Sequence, residues 1–169
     1  LLVSPRKALI HLTGLDLPHP QILSPFTMLL RKHLRGGRIT AVKQEGWERV
    51  VRIEITRRSQ AKKTDLTLIA ELIGVRGNLI LVRDGRVVAA LRADPRTRPG
   101  GEYRPLPRQG KIDPRKVDPQ VISELLTADD PVRALVRRID GIGKETAQVI
   151  ASQVIASQAG GPEGVASRL

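Results

Sequence analysis

Asn78-Leu79-Ile80-Leu81-Val82-Arg83-Asp84-Gly85-Arg86-Val87-Val88-Ala89-Ala90-Leu91 decides the fold class. Two apolar runs flank Asp84-Gly85, a pair suited to the positive-φ positions of a tight hairpin. Upstream, three more stretches carry strand signals: Arg38 to Lys43, Val50 to Ile55 with period-two alternation in its second half, and Leu66 to Ile73 ending at Gly74. No helical pattern separates them, which predicts antiparallel pairing in a meander, sandwich or barrel rather than a doubly wound sheet.

Farther upstream, Leu1-Leu2-Val3 and Leu9-Ile10-His11-Leu12 read as short strands around the basic turn Pro5-Arg6-Lys7. Ser24-Pro25 opens a helix, with Ser24 as cap and Pro25 in the first turn. Phe26, Leu29, Leu30 and His33 or Leu34 follow at helical spacing, and Gly36-Gly37 ends the run. The other face of that helix carries Arg31, Lys32 and Arg35.

Downstream, Ala93 to Pro114 is dense in Pro, Gly and Arg and reads as an extended connector. Three helices are expected after it: one capped by Asp118-Pro119, one capped by Asp130-Pro131, and one opened by the turn at Gly141-Ile142-Gly143. The tail from Ala159 to Leu169 reads as a loose end. The resulting division is a β-rich domain over 1–93, a Pro/Arg-rich connector over 94–117 and a helical module over 118–169. The chain starts Leu1-Leu2-Val3 with no initiator Met and no signal pattern, as expected of a piece cut from a longer protein.

Lys and Arg number 29 against 17 Asp and Glu, a net charge of +12 with an isoelectric point near 11.1. That excess draws polyanions through counterion release, nucleic acid first and an anionic membrane surface second. An inert basic surface of the kind found in Arg-rich thermophiles is the bland alternative. No apolar run reaches the length of a membrane span. Cysteine is absent, which removes disulfides, thiolate metal sites and Cys nucleophiles, and fits a cytoplasmic setting. Phe26, Trp47 and Tyr103 are the only aromatic residues, too few for a base-stacking platform. Nucleic-acid contacts are therefore expected to be to phosphates and shape.

Asp140-Gly141-Ile142-Gly143-Lys144 is the most local signal for such contact. Two glycines in a tight turn precede a helix start, where backbone N–H groups and the positive end of the helix dipole favour an anion. Lys144 adds a charge, so Gly141, Gly143 and Lys144 are candidate phosphate ligands. A hairpin that only joins two packed helices explains the same residues. The helix face of Arg31, Lys32 and Arg35 is a second candidate, with a solvated basic stripe as its alternative. His33 is read as packing or capping, with no clustered acidic partners and hence no metal site. Asn78, next to a turn with Arg76, is explained by turn chemistry. Arg92, Arg96 and Arg98 line the connector, a basic segment that would order on RNA or stay disordered.

Several ordered stretches resemble the NFACT amino-terminal domain family, also called fibronectin-binding protein A. They are Ser24 to Ile39, Gln44 to Val51, Leu68 to Val82 and Pro99 to Pro105, with Gly141-Ile142-Gly143 falling where the family places its helix-hairpin-helix region. The resemblance implies an α+β protein. Its first part would be an antiparallel β-sandwich-like domain, shaped like formamidopyrimidine-type glycosylases and carrying one helix. A small helix-hairpin-helix module would follow. It also implies ribosome quality control: binding of obstructed large ribosomal subunits, of alanyl tRNA, and support of template-free alanine tailing. Glu48 and Arg49 align with the family's Asp-Arg pair tied to tRNA. Glu48 departs from that pattern by one methylene, so Arg49 carries the expectation better. No cofactor is implied. Fibronectin binding at a cell surface is the older activity attached to the family name.

No GxSxG, Walker, HExxH or dinucleotide fingerprint is present, so no catalytic residues are assigned. A glycosylase-like shape does not bring glycosylase chemistry with it. The resemblance, with the basic charge, points first to an RNA-binding part of a ribosome quality-control factor. A DNA-repair or DNA-binding protein using the hairpin, and a fibronectin-binding adhesin, are its rivals.

Overall fold

A computed structural model describes residues 2–18, 21–58, 63–107 and 109–159, with side chains through 154. The chain divides into two compact units, 1–106 and 107–169. Residues 160–169, read above as a loose tail, lie outside the described part.

The first unit is built on a five-stranded antiparallel meander: β3 (Arg38–Gln44), β4 (Val50–Arg58), β5 (Lys63–Glu71), β6 (Asn78–Arg83) and β7 (Arg86–Ala90), paired in that order. The Asp84-Gly85 turn forms as its chemistry requires, with φ of 51° and 75°. A two-stranded ribbon of β1 (Leu2–Ser4) and β2 (Leu9–His11) forms a second, separate antiparallel sheet. Helix α1 (Pro25–Leu34) begins with Ser24 accepting from the N–H of Thr27 at 3.2 Å.

Register decides which face of the meander each residue takes. One face carries Ile53, Ile55, Leu66, Leu68 and Leu81, against which Ile10 of β2 and Leu30 and Leu34 of α1 pack. The opposite face carries Val50, Ile69, Ile80, Val82 and Val87, covered by Ala90, Tyr103 and Leu106. The α+β architecture read from the sequence is present. The segment read as a connector over 94–117 is shared between the units, because residues 94–106 lie on the sheet as a strap.

The strap is held by charge. Glu71, the last residue of β5, is fully buried and accepts from Arg96 at 3.1 and 3.3 Å and from the Tyr103 hydroxyl at 3.1 Å. Arg96 also reaches Asp94 at 3.0 Å and the carbonyl of Arg104 at 3.2 Å. Asp94 caps the short 3₁₀ turn Pro95–Thr97 through the N–H of Arg96. A carboxylate out of water is tolerable only when paired and hydrogen-bonded, and Glu71 is both. The expectation of a free, basic connector is therefore corrected for Arg96. It is corrected for Arg92 too, whose guanidinium donates to the carbonyl of Val75. Asn78 is not a turn residue but the buried start of β6; its side chain donates to the carbonyl of Arg92 and accepts from the N–H groups of Leu79 and Arg92.

The second unit packs α2 (Pro119–Leu126), α3 (Pro131–Arg138) and α4 (Lys144–Ala159) around Leu135, Ile139 and Ala147. Asp118 and Asp130 cap α2 and α3, each followed by proline, as the sequence predicts. Ile112 pairs with Ile139: its N–H bonds the carbonyl of Arg138, and its carbonyl accepts from Asp140, so the segment before α2 pins the turn between α3 and α4.

Candidate nucleic-acid interface

Glu48 and Arg49 sit on the loop joining β3 to β4. The loop is a fixed turn rather than a free excursion. Glu45 donates its N–H to the carbonyl of Val50 at 3.1 Å, and Glu48 to the carbonyl of Glu45 at 2.9 Å. Gln44 donates its side-chain amide to the carbonyl of Glu48 at 3.1 Å. The carbonyl of Arg49 accepts from Leu72 at 2.7 Å, tying the loop to the end of β5. Arg49 is exposed and Glu48 half-buried. Among the described residues the Arg49 guanidinium makes no ion pair. Trp47, two residues earlier, is 39% exposed on the same loop.

Below this loop, Arg52 pairs with Glu45 and lies over the Tyr103 ring, 5.4 Å from its centroid. Arg52 is thus engaged by a carboxylate and an aromatic face, whereas Arg49 is exposed on the loop. Burial and the neighbouring Glu71 carboxylate push the Tyr103 hydroxyl well above the usual phenol range. The Glu71, Arg96 and Tyr103 network was missed in the sequence. Its one local signal is an acidic residue inside the apolar run Leu68-Ile69-Ala70-Glu71-Leu72-Ile73, which demands a counter-charge from elsewhere.

Arg31, Lys32 and Arg35 are exposed along the last turns of α1. The helix end is seated on the sheet at the opposite end of β4 from Arg49. Arg57 donates to the carbonyl of Lys32 at 2.9 Å. Gly37 lies so close to the sheet that a Cβ there would meet Ile55 Cγ2 at 2.7 Å and the carbonyl of Leu34 at 2.9 Å. Since β4 has 9 residues, the backbone of Arg49 is about 30 Å from that of Arg58 along the strand. The loop and the basic helix face are therefore two surfaces, not one. His33, on α1, is half-buried and is held below the usual imidazole range by burial and then by Lys32, Arg83 and Arg57.

In the second unit, Gly141, Gly143 and Lys144 are exposed. Gly141 has a φ of 70° and donates its N–H to Asp140 Oδ1 at 2.9 Å, so its part in the turn is conformational. Gly143 has a φ outside the left-handed region, and a Cβ there would meet nothing within 4 Å. It precedes the first residue of α4 and has no side chain to accept from the first-turn N–H groups. Lys144 is the first residue of α4.

Among the described residues, no three His, Asp or Glu side chains gather as metal ligands, and no helix is long and apolar enough to cross a membrane.

Residues 1–160 match the family model described as NFACT N-terminal and middle domains. Among curated proteins, the chain is 25% identical over 156 residues to a protein named Rqc2 homolog RqcH from Streptococcus suis, covering 86% of this chain and 28% of that protein. It is 30% identical over 120 residues to the Bacillus subtilis protein of the same name, covering 65% of this chain and 21% of that one. The chain thus spans less than a third of the length of these relatives. Among solved structures, the N-terminal domain of fibronectin-binding protein PavA from Streptococcus pneumoniae superposes with a TM-score of 0.77 at 24% identity, over 93% of this chain and 63% of that one. The N-terminal part of the fibronectin/fibrinogen-binding protein of Streptococcus suis gives a TM-score of 0.73 at 26% identity, over 89% of this chain and 61% of that one. With an antiparallel meander, an α1 seated by Gly37 and a three-helix unit all falling within the matched span, the chain belongs to the family of NFACT N-terminal and middle domains.

Proposed function

We propose that this chain is the RNA-binding part of a cytoplasmic ribosome quality-control factor. It docks tRNA through Arg49, with Glu48 beside it on the same loop, while the whole protein engages obstructed large ribosomal subunits and supports template-free alanine tailing of the stalled chain. The observation that carries this reading is the Arg49 guanidinium: exposed, without an ion-pair partner among the described residues, and held on a loop fixed by four hydrogen bonds. A guanidinium presented from a rigid backbone binds phosphate as a bidentate fork at little ordering cost. Glu48 supplies an acceptor for a ribose hydroxyl.

Two further surfaces support it. Arg31, Lys32 and Arg35 form a phosphate-contacting face on α1. The turn of Gly141, Gly143 and Lys144 works as a helix-hairpin-helix, with open N–H groups at the start of α4. The names of the curated relatives supply the ribosomal context. The net charge of +12 supplies the general affinity.

The test is binding of transcribed tRNA by the full-length protein, with Arg49→Ala as the variant. The expected result is a loss of about tenfold in affinity with unchanged thermal stability. Co-sedimentation of full-length protein with large subunits tests the ribosomal half. Base excision on lesion-bearing duplex DNA would overturn the reading in favour of repair. The Streptococcus suis structural relative favours a second reading, adhesion, and saturable fibronectin binding that survives nuclease and high salt would establish it instead.

A further inference from the structure

The end of the sheet opposite Arg49 carries cations from elements far apart in sequence. Arg38 opens β3, Arg57 and Arg58 close β4, Lys63 opens β5 and Arg83 closes β6. The pairing register brings them to one rim: Arg58 faces Lys63, and Arg38 faces Thr56, two residues before Arg58. A groove of about 640 Å³ runs along this rim, lined by Gly36, Arg38, Thr40, Thr56, Arg58 and Lys63 together with Ile39.

Charge in the groove is poorly balanced. Asp65 lies beside it, and it is already engaged by Lys63 at 3.0 Å and by the Thr56 hydroxyl at 2.6 Å. Those two hydrogen bonds, and then the charges of Lys63 and Arg58, hold its carboxyl below the usual range. Arg38 and Arg58 make no ion pair or side-chain hydrogen bond among the described residues. Arg57, by contrast, is spent on the carbonyl of Lys32.

Two guanidiniums borne on paired strands keep a fixed separation, unlike basic residues on a free tail. Thr56 lies opposite Arg38 and two residues before Arg58, its hydroxyl donating to Asp65, and among the described residues lining the groove there is no carboxylate. Such a pair of strand-borne cations fits successive phosphates of a polynucleotide backbone. It offers no aromatic ring for a base to stack on.

From this rim we infer that Arg38 and Arg58 line a second phosphate-backbone site for RNA, one strand length from Arg49, so that the sheet bridges two separate tracts of one folded RNA. The inference rests on the proposed RNA-binding role and adds a place and a partner to it. The site reads backbone rather than sequence. Its loss should weaken binding of different folded RNAs alike.

The test compares the full-length protein with the double variant Arg38→Ala/Arg58→Ala, with Arg38→Lys/Arg58→Lys, and with Arg49→Ala. The probe is transcribed tRNA, followed by anisotropy between about 50 and 200 mM salt. The double alanine variant is expected to lower the log–log salt slope by about 1.5 and affinity about tenfold, and the double lysine variant to keep both near the parent. Hydroxyl-radical footprinting should show the double alanine variant exposing a tract of the RNA that Arg49→Ala leaves protected. An unchanged slope and footprint for the double alanine variant, while Arg49→Ala still weakens binding, overturns the second site and leaves the RNA-binding role standing. No binding by the parent protein overturns both. Deprotection of the same tract by both variants overturns the bridge. Capture of the parent, but not the double alanine variant, by phosphatidylserine vesicles with no RNA effect assigns the rim to a membrane surface and overturns the proposal.

Discussion

At the scale of single residues, Glu71 and Tyr103 give the sharpest expectations. Glu71→Gln removes the charge that Arg96 meets with two hydrogen bonds, and leaves a guanidinium facing a neutral amide at the edge of the core. Urea denaturation should show a loss of about 3 kcal/mol, the lower end of what a broken buried pair costs, because Arg96 keeps some solvent and Asp94. Tyr103 is the only tyrosine of the chain, so its phenolate absorbance can be titrated without interference. Its folded-state value lies above the ordinary one of about 10, and deprotonation therefore favours the unfolded chain. Stability is fully present below pH ~10 and falls as pH rises through and beyond it. The absorbance midpoint should drop back toward ~10 in denaturant. A midpoint near that value in native protein would mean the strap is not seated over Glu71.

Among the elements, α1 and the meander show what a sequence discloses and what it withholds. The Asp84-Gly85 hairpin, the Ser24 cap and the Asp118 and Asp130 caps were legible because each is local chemistry within four residues. The alternation in β4 gave its faces. Glu71 and Arg96 are 25 residues apart and meet only because the strap folds back over β5, so no periodicity announces them. The Arg-rich stretch around Arg96 looks like a solvated linker for the same reason. The separation of Arg49 from the α1 face was hidden until the length and direction of β4 were known. Gly37 shows a further gap: it reads as a helix stop, yet its lack of a side chain also lets the chain meet Ile55. Gly37→Ala should cost about 1–3 kcal/mol by thermal denaturation, since the added methyl must displace both a side chain and a carbonyl. Asp130→Ala should cost about 1 kcal/mol through loss of the bond to the N–H of Arg133.

For the whole molecule, two compact units, each with its own buried apolar residues, imply two cooperative units. Leu135→Ala opens a cavity in the helical unit and should cost it about 2–5 kcal/mol. Hydrogen exchange should then speed up in α3 and α4 while amides of β5 and β6 keep their protection. Equal loss in both units would show that they unfold together. The one tryptophan of the chain, Trp47, stands two positions from Arg49 and part-open to solvent. The molecule thus carries an intrinsic optical probe at one end of its sheet and none at the other. A polyanion seated on the β3–β4 loop should quench or shift indole emission without any added label, whereas one confined to the far rim should leave the spectrum dark to its presence.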